Sequence, residues 1–356
     1  MIALLDYTSQ VQRLDDKAMA EAKSIQDSLT KPNGSLGRLE NLSVQLAGIY
    51  RTPYPEVRRK VVFTMAADHG VAAEGVSAYP SAVTAQMVLN FARGGAAINV
   101  LARKAGAVVR VVDIGVASDM DWPEGVLSRK VAKGSANMAR GPALTNEQAT
   151  EALLIGAELA SEAADSGVNA IAIGDMGIGN TTAASAITAV MTGRPVADVT
   201  GRGTGVDDSV LSLKIKVIEK ALEVNRLDSS DGFDVLSKVG GLEIAGLAGI
   251  AIGAASRGVP VFLDGFVSSS AALIASAICP DCREYMIASH VSVEPGHRYA
   301  LEHLALEPVL DLGMRLGEGT GAALAFFIAE AACRIINEMA TFDSAGVSRS
   351  DKEMTE

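Results

Sequence analysis

Two carboxylates in this chain are bracketed by glycine, and each stands just ahead of a stretch with helical spacing. The first lies in Gly174-Asp175-Met176-Gly177-Ile178-Gly179-Asn180-Thr181-Thr182, the second in Arg315-Leu316-Gly317-Glu318-Gly319-Thr320-Gly321. Three glycines in six residues let the first loop bring its backbone close to a ligand. The helix start behind it, with Asn180 or Thr181 as the expected N-cap, offers unpaired N–H groups to an anion. That combination suits a phosphorylated sugar; a tight strand–helix turn with no ligand is the plainer alternative. At Glu318 the helix dipole favours the ionised carboxylate, and the flanking glycines leave it reachable. Self-capping is its alternative, although Glu is a poor N-cap.

Other side chains could join them. Thr200-Gly201-Arg202-Gly203-Thr204-Gly205 is a second glycine-rich loop, but its G-x-G-x-G spacing is not a dinucleotide fingerprint, which disfavours a nicotinamide-dinucleotide dehydrogenase. Asp207 or Asp208 caps the helix that follows. Its Lys214 and Lys216 are two apart and face different ways, so one can reach back to a phosphate while the other stays in solvent. Asp68-His69-Gly70 ends an apolar strand, where open α/β sheets place ligand groups; a pair that merely fixes its loop is the alternative. Tyr79, Met87 and Leu89 could wall a flat ring or serve as plain core. Cys279-Pro-Asp-Cys282 has C-x-x-C spacing, yet it lacks two further ligands for zinc and closes a helical stretch rather than opening one, so it is expected to be structural.

The elements that must position these groups follow a βαβ rhythm. Apolar strands are expected at 59–67, 107–113, 168–173, 259–263 and 285–288, each ending in polar residues or Gly. This predicts an α/β fold, a doubly wound (Rossmann-like) parallel sheet with its site along one edge. Thr145-Asn-Glu-Gln148 is a capping box opening a long helix. Residues 117–142, with Trp122, read as irregular, and 297–314 as helical. Lys31 and Arg38 read as a solvated turn between two helices, with Ser35 capping the second, and the polar tail from Asp343 as frayed. The chain has 356 residues, enough for a large domain and a smaller one. The expected division is a small helical domain from residues 1–50 plus 297–356 and a large α/β domain at 51–296. A net charge of −11 with no basic stripe argues against a nucleic-acid partner. No signal peptide is apparent, and 242–255 reads as a buried helix rather than a membrane span, so a cytoplasmic location is the default.

Six stretches taken in order resemble one family: Lys31-Pro-Asn-Gly-Ser-Leu-Gly-Arg-Leu-Glu40, Asp68-His-Gly70, Gly174 to Thr182, Asp234 to Gly241, Leu263-Asp-Gly-Phe266 and Arg315-Leu-Gly-Glu-Gly-Thr-Gly321. The chain resembles the nicotinate-nucleotide–dimethylbenzimidazole phosphoribosyltransferases, which make the lower-ligand nucleotide of cobalamin, over about residues 29–337. The resemblance implies transfer of phosphoribose from nicotinate mononucleotide to a benzimidazole nitrogen with inversion, with no metal and no cofactor. It makes Glu318 the base that takes the azole proton and Asp175 the second carboxylate, where relatives often carry Glu. Asp is one methylene shorter, so action through water or a weaker hold on the ribose hydroxyls is expected in place of direct contact with the ribose or C1′. The implied phosphate ligands are the backbone around Gly177 and Gly203, with Lys214 and Ser292. Asn180, Thr181 and Gly317 join the substrate-binding set, as do Asp68 and His69, and the base is expected near Tyr79, Gln86, Met87 and Leu316. The resemblance also implies a homodimer. A non-catalytic nucleotide- or benzimidazole-binding protein is the alternative from another class.

Overall fold

The computed structural model describes residues 2–348. The last part of the polar tail, 349–356, lies outside them. The chain divides into two units, 1–12 with 59–325 and 13–58 with 326–356. These bounds differ from the sequence expectation: residues 1–12 and 297–325 group with the sheet-bearing unit.

That unit is built on six strands: β1 (Lys60–Ala67), β2 (Ala107–Gly115), β3 (Val126–Ser128), β4 (Ala170–Met176), β5 (Val261–Leu263) and β6 (Met286–Ala288). All are parallel, in the order β3-β2-β1-β4-β5-β6. This is the doubly wound order, in which the direction of winding reverses between β1 and β4 and opens a crevice at their C-terminal ends. Every residue of β1 is buried, as expected of a strand covered on both faces. β3 was not anticipated. It lies in the stretch read as irregular, which is tied down by Asp113: that carboxylate accepts Trp122 Nε1 at 2.6 Å and Val116 N at 2.8 Å, with Lys130 Nζ 3.2 Å away. A second, two-stranded parallel sheet joins β7 (His290–Ser292) to β8 (Leu310–Met314). Of the stretch expected to be helical at 297–314, only 297–303 is so, as the end of the Pro295–His303 helix; β8 takes the last part, where Val309 and Leu310 donate to the carbonyls of Ala288 and Ser289.

Small residues set the helix packing. The Leu242–Ser256 helix is buried on every side save its last residue, and it lies against the Asn146–Asp165 helix and the sheet. A Cβ on Gly156, Gly249 or Gly253 would run into the facing backbone of Gly246, Leu153 or Ala157. The helices therefore approach at backbone contact, which is how an Ala- and Gly-rich core reaches high density without aromatic bulk. Thr145 caps the Asn146–Asp165 helix as expected, and Asp207 caps Asp208–Asn225. Cys279, after the Phe266–Ile278 helix, and Cys282, in the 3-10 turn Pro280–Tyr285, are buried free thiols.

The second unit is helical. Asp15 caps Asp16–Ser28, which pairs with Arg38–Tyr50 around Ala22, Ala47 and Ile336. The turn between them is not solvated at Lys31: its ammonium is buried 2.8 Å from Glu40 Oε1, an oxygen that also accepts the Leu36 N–H. Gly37, not Ser35, occupies the N-cap position. The Thr320–Glu338 helix gives its residues through Ala325 to the first unit and the remainder to the second. By length and composition it could cross a membrane, but just over half of the apolar stretch is buried inside the protein.

Candidate active site

The backbones of the two glycine-bracketed stretches meet at the switch point between β1 and β4. Gly174, near the end of β4, packs against the backbone of Glu318 and Gly319, where a Cβ would collide with Gly319 N. Glu318 N donates to Asp175 O at 3.2 Å, and Thr64 Oγ1 of β1 donates to Glu318 O at 2.9 Å. Gly317, Glu318 and Gly319 all have positive φ, at 83°, 65° and 94°. For Glu this left-handed conformation costs roughly 1 kcal/mol, and it persists because both neighbouring strands hold it.

Asp175 is 8% exposed, and its Oδ2 accepts Asn180 Nδ2 at 2.7 Å. Asn180 therefore serves the carboxylate rather than capping its helix, whose N-cap position is held by Gly179. Burial, then the charges of Asp264 and Glu243, and to a smaller degree Glu318, push the Asp175 carboxyl well above its usual range; the Asn180 hydrogen bond pulls it partly back. Glu318 is 4% exposed. Its Oε2 accepts Ile98 N at 3.2 Å, at the open start of the Ala97–Ala105 helix, while Oε1 takes no hydrogen bond from the described residues. Burial raises this carboxyl too, the Ile98 N–H lowers it, and Asp264 adds to the rise. A carboxylate with one oxygen anchored and a raised proton affinity is suited to general-base work near neutrality. Asp264 has a different task. It accepts Gly319 N at 3.1 Å, Gly321 N at 2.6 Å and Ala322 N at 3.2 Å, capping the Thr320–Glu338 helix.

Beside this junction a cleft opens to solvent. Asp175, Gly177, Asn180, Thr181, Gly203, Ser292, Leu316 and Gly317 line it, as do His290, Glu294 and Arg315. Gly177 and Gly179 let the β4 loop pass over the end of β1: a Cβ on Gly177 would meet Ala67 O. Lys214 stands behind the wall at 1% exposure, its Nζ 2.8 Å from Thr181 Oγ1 and 3.3 Å from Gly201 O. Burial lowers the ammonium to about 8, against the pull of Glu294. Lys216 is exposed, so the two lysines divide as their spacing implied. Arg315 Nη1 donates to Gly203 O at 2.8 Å and so fixes that peptide. His297 props up Ser292: its Nδ1 accepts the Ser292 N–H at 2.8 Å, which places the proton on Nε2, 2.9 Å from Ser269 Oγ. Burial, aided by His290, drives the His297 imidazole down to about 3, so it stays neutral.

Other expected site residues lie elsewhere. Asp68 and His69 do not line the cleft but sit behind its glycine loop, with His69 Cδ2 3.5 Å from where a Gly177 Cβ would be. Buried His69 donates from Nε2 to Glu243 Oε1 at 2.5 Å. Burial alone would lower that imidazole, but Glu243, and beyond it Asp68, raise it above its ordinary value. Tyr79, Gln86 and Met87 are also absent from the cleft wall. Tyr79 and Gln86 are exposed and Met87 is half-buried, and the Ala82–Ala92 helix meets the loop through Thr84 Oγ1, which accepts Ile178 N at 3.2 Å. Asp264, His290, Glu294 and Arg315 were not singled out from sequence as site residues. Their signal was the one that pointed to Asp68: polar residues just past the end of a strand. Among the described residues, no three His, Cys, Asp or Glu side chains are grouped to hold a metal ion.

The phosphoribosyltransferase family profile matches residues 11–347. A nicotinate-nucleotide–dimethylbenzimidazole phosphoribosyltransferase from Chloroflexus aggregans is 56% identical over 348 residues, 98% of this chain and 99% of the relative. The enzyme of that name from Desulforamulus reducens is 55% identical over 350 residues, covering 98% of this chain and 100% of the relative. The crystal structure of the Thermus thermophilus enzyme superposes with a TM-score of 0.90 at 47% identity, covering 95% of this chain and 100% of that one. The chain belongs to the nicotinate-nucleotide–dimethylbenzimidazole phosphoribosyltransferase family.

Proposed function

We propose that this protein moves 5-phosphoribose from nicotinate mononucleotide to 5,6-dimethylbenzimidazole, releasing nicotinate and forming α-ribazole 5′-phosphate for the lower ligand of cobalamin. The observation that carries the reading is the backbone junction of Asp175 and Glu318 beside a cleft walled by two glycine loops. The 5′-phosphate sits against Gly177, Gly203 and Ser292, with the Lys214 ammonium behind them; charge-assisted contacts of this kind are the strong ones. That seat places the ribose beside Asp175 and the azole toward Glu318 and Leu316.

The C1′–N bond of the nucleotide breaks as the azole nitrogen attacks C1′ from the opposite face. The bonding electrons return to the pyridine ring, so nicotinate leaves without needing an acid. Attack makes the proton on the second azole nitrogen acidic. Glu318 Oε1 takes it and passes it to solvent, which leaves the product azole neutral. The pyridinium charge of the bound nucleotide draws Asp175 toward its ionised form, and the carboxylate then bears on the positive charge that develops at C1′, directly or through a water. A homodimer and a cytoplasmic location go with this reading.

The test is turnover. Incubation with nicotinate mononucleotide and dimethylbenzimidazole is expected to release nicotinate and form the ribazole phosphate in equal amounts. Tight binding of both substrates with no release would leave a binding protein in place of a transferase.

A further inference from the structure

Glu294 stands inside the proposed phosphate seat, and no step of the reaction uses it. It is 6% exposed and lines the cleft at the start of the Pro295–His303 helix, a position from which its side chain does not cap that helix. Its Oε1 accepts Gly203 N at 2.9 Å. Its Oε2 is buried without a hydrogen-bond partner among the described residues and lies against Gly201, where a Cβ would collide with it. The carboxylate thus takes the backbone donor expected to bind phosphate, next to a peptide oxygen, Gly201 O, that already holds Lys214. Arg315 holds the following peptide through Gly203 O, so the loop is tied down on both sides of Gly203.

We propose that Glu294 is an internal stand-in for the 5′-phosphate: it occupies the seat in the free protein, and the incoming phosphate displaces it from Gly203. This rests on the reading of the cleft as a phosphate site. A buried, half-satisfied carboxylate costs free energy where it is, but it keeps the Gly203 N–H and the Lys214 ammonium from standing uncompensated. When a phosphate arrives it supplies that compensation, and Glu294 becomes a like charge that must turn away. The exchange preserves the shape of the empty cradle at the expense of affinity for any anion that enters.

The test titrates the full-length protein with inorganic phosphate by calorimetry at pH 7, comparing the unmodified chain, Glu294→Gln and Lys214→Met. Gln keeps an oxygen for the Gly203 N–H but drops the charge. The expected result is phosphate binding about tenfold tighter in Glu294→Gln and lost in Lys214→Met. Weaker or unchanged binding in Glu294→Gln, with loss in Lys214→Met, overturns the stand-in and leaves the cradle. Unaltered binding in Lys214→Met removes the cradle itself, and the stand-in with it. Crystals of the unmodified chain grown with phosphate give a check that needs no variant. The expected structure has a phosphate oxygen at Gly203 N and Glu294 Oε1 out of hydrogen-bond reach. Glu294 still on Gly203, with phosphate beside it, overturns the proposal.

Discussion

Asp175 and Glu318 share a local grammar, a carboxylate between glycines where a strand feeds a helix, yet the fold gives them different surroundings. Asp175 ends β4, lines the open cleft and is held by Asn180. Glu318 is not part of that cleft's wall; it sits in a left-handed turn, with one oxygen docked on the start of a different helix. Asp175 faces the charges of Asp264 and Glu243 as well as Glu318, whereas Glu318 faces Asp264 and, since repulsion within the pair is mutual, Asp175. Glycine brackets make a carboxylate accessible, but its neighbours decide whether it is held ready to accept a proton or pressed toward its neutral form.

The sharpest way to break this comparison is to part the two loops. Gly174→Ala puts a methyl group into the backbone of Glu318 and Gly319. Stability is expected to fall by about 3 kcal/mol in urea melts, and turnover is expected to vanish. A variant that melts and turns over like the parent would show that Asp175 and Glu318 do not depend on this contact. The next largest effect separates the carboxylates chemically. Glu318→Gln keeps an acceptor for the Ile98 N–H, so the helix start stays satisfied, but it removes the base. Turnover is expected to drop about a hundredfold or more, with the Kd for nicotinate mononucleotide, measured by calorimetry, nearly intact. Equal turnover in the variant would take the base role away from Glu318.

The sequence made the cleft's floor more legible than its rim. The β4 loop and the Glu318 turn were readable because glycine at a strand end has a local cause: it adopts left-handed backbone angles at least cost and allows close approach. The sheet was readable for a similar reason, since fully buried parallel strands are continuous apolar runs. β3 and β8 were missed because each is short or exposed and is held by distant partners, β3 through Asp113 and Trp122 and β8 through Ala288 and Ser289. For Glu294 and Arg315 a place just past a strand was the local signal, but their task was not legible, because it depends on Gly203, far away in the chain. Lys31 was misjudged for the same kind of reason: a lysine in a Pro-Asn-Gly turn reads as solvated until the fold closes Glu40 over it.

The smallest expected effect sharpens the comparison at its other pole. If Asp175 is pressed toward its neutral form by burial and by its acidic neighbours, it is a liability to the fold, and Asn in its place should relieve it. Asn retains an oxygen for the Asn180 Nδ2–H and adds no bulk against Gly317. The sign follows from proton linkage. The folded carboxyl holds its proton to a higher pH than the unfolded one, whose pKa is about 3.9. As pH rises through that interval the unfolded state sheds the proton first, and the folded state loses stability relative to it. Asp175→Asn removes the titration, so its advantage over the parent should be small at pH 4 and widen with rising pH. On the order of 1 kcal/mol is expected at pH 8, read as a shift in urea midpoint at constant slope, while turnover falls. An advantage that is the same at both pH values would mean that the burial cost of Asp175 is met within the site, and that the two carboxylates differ in position alone.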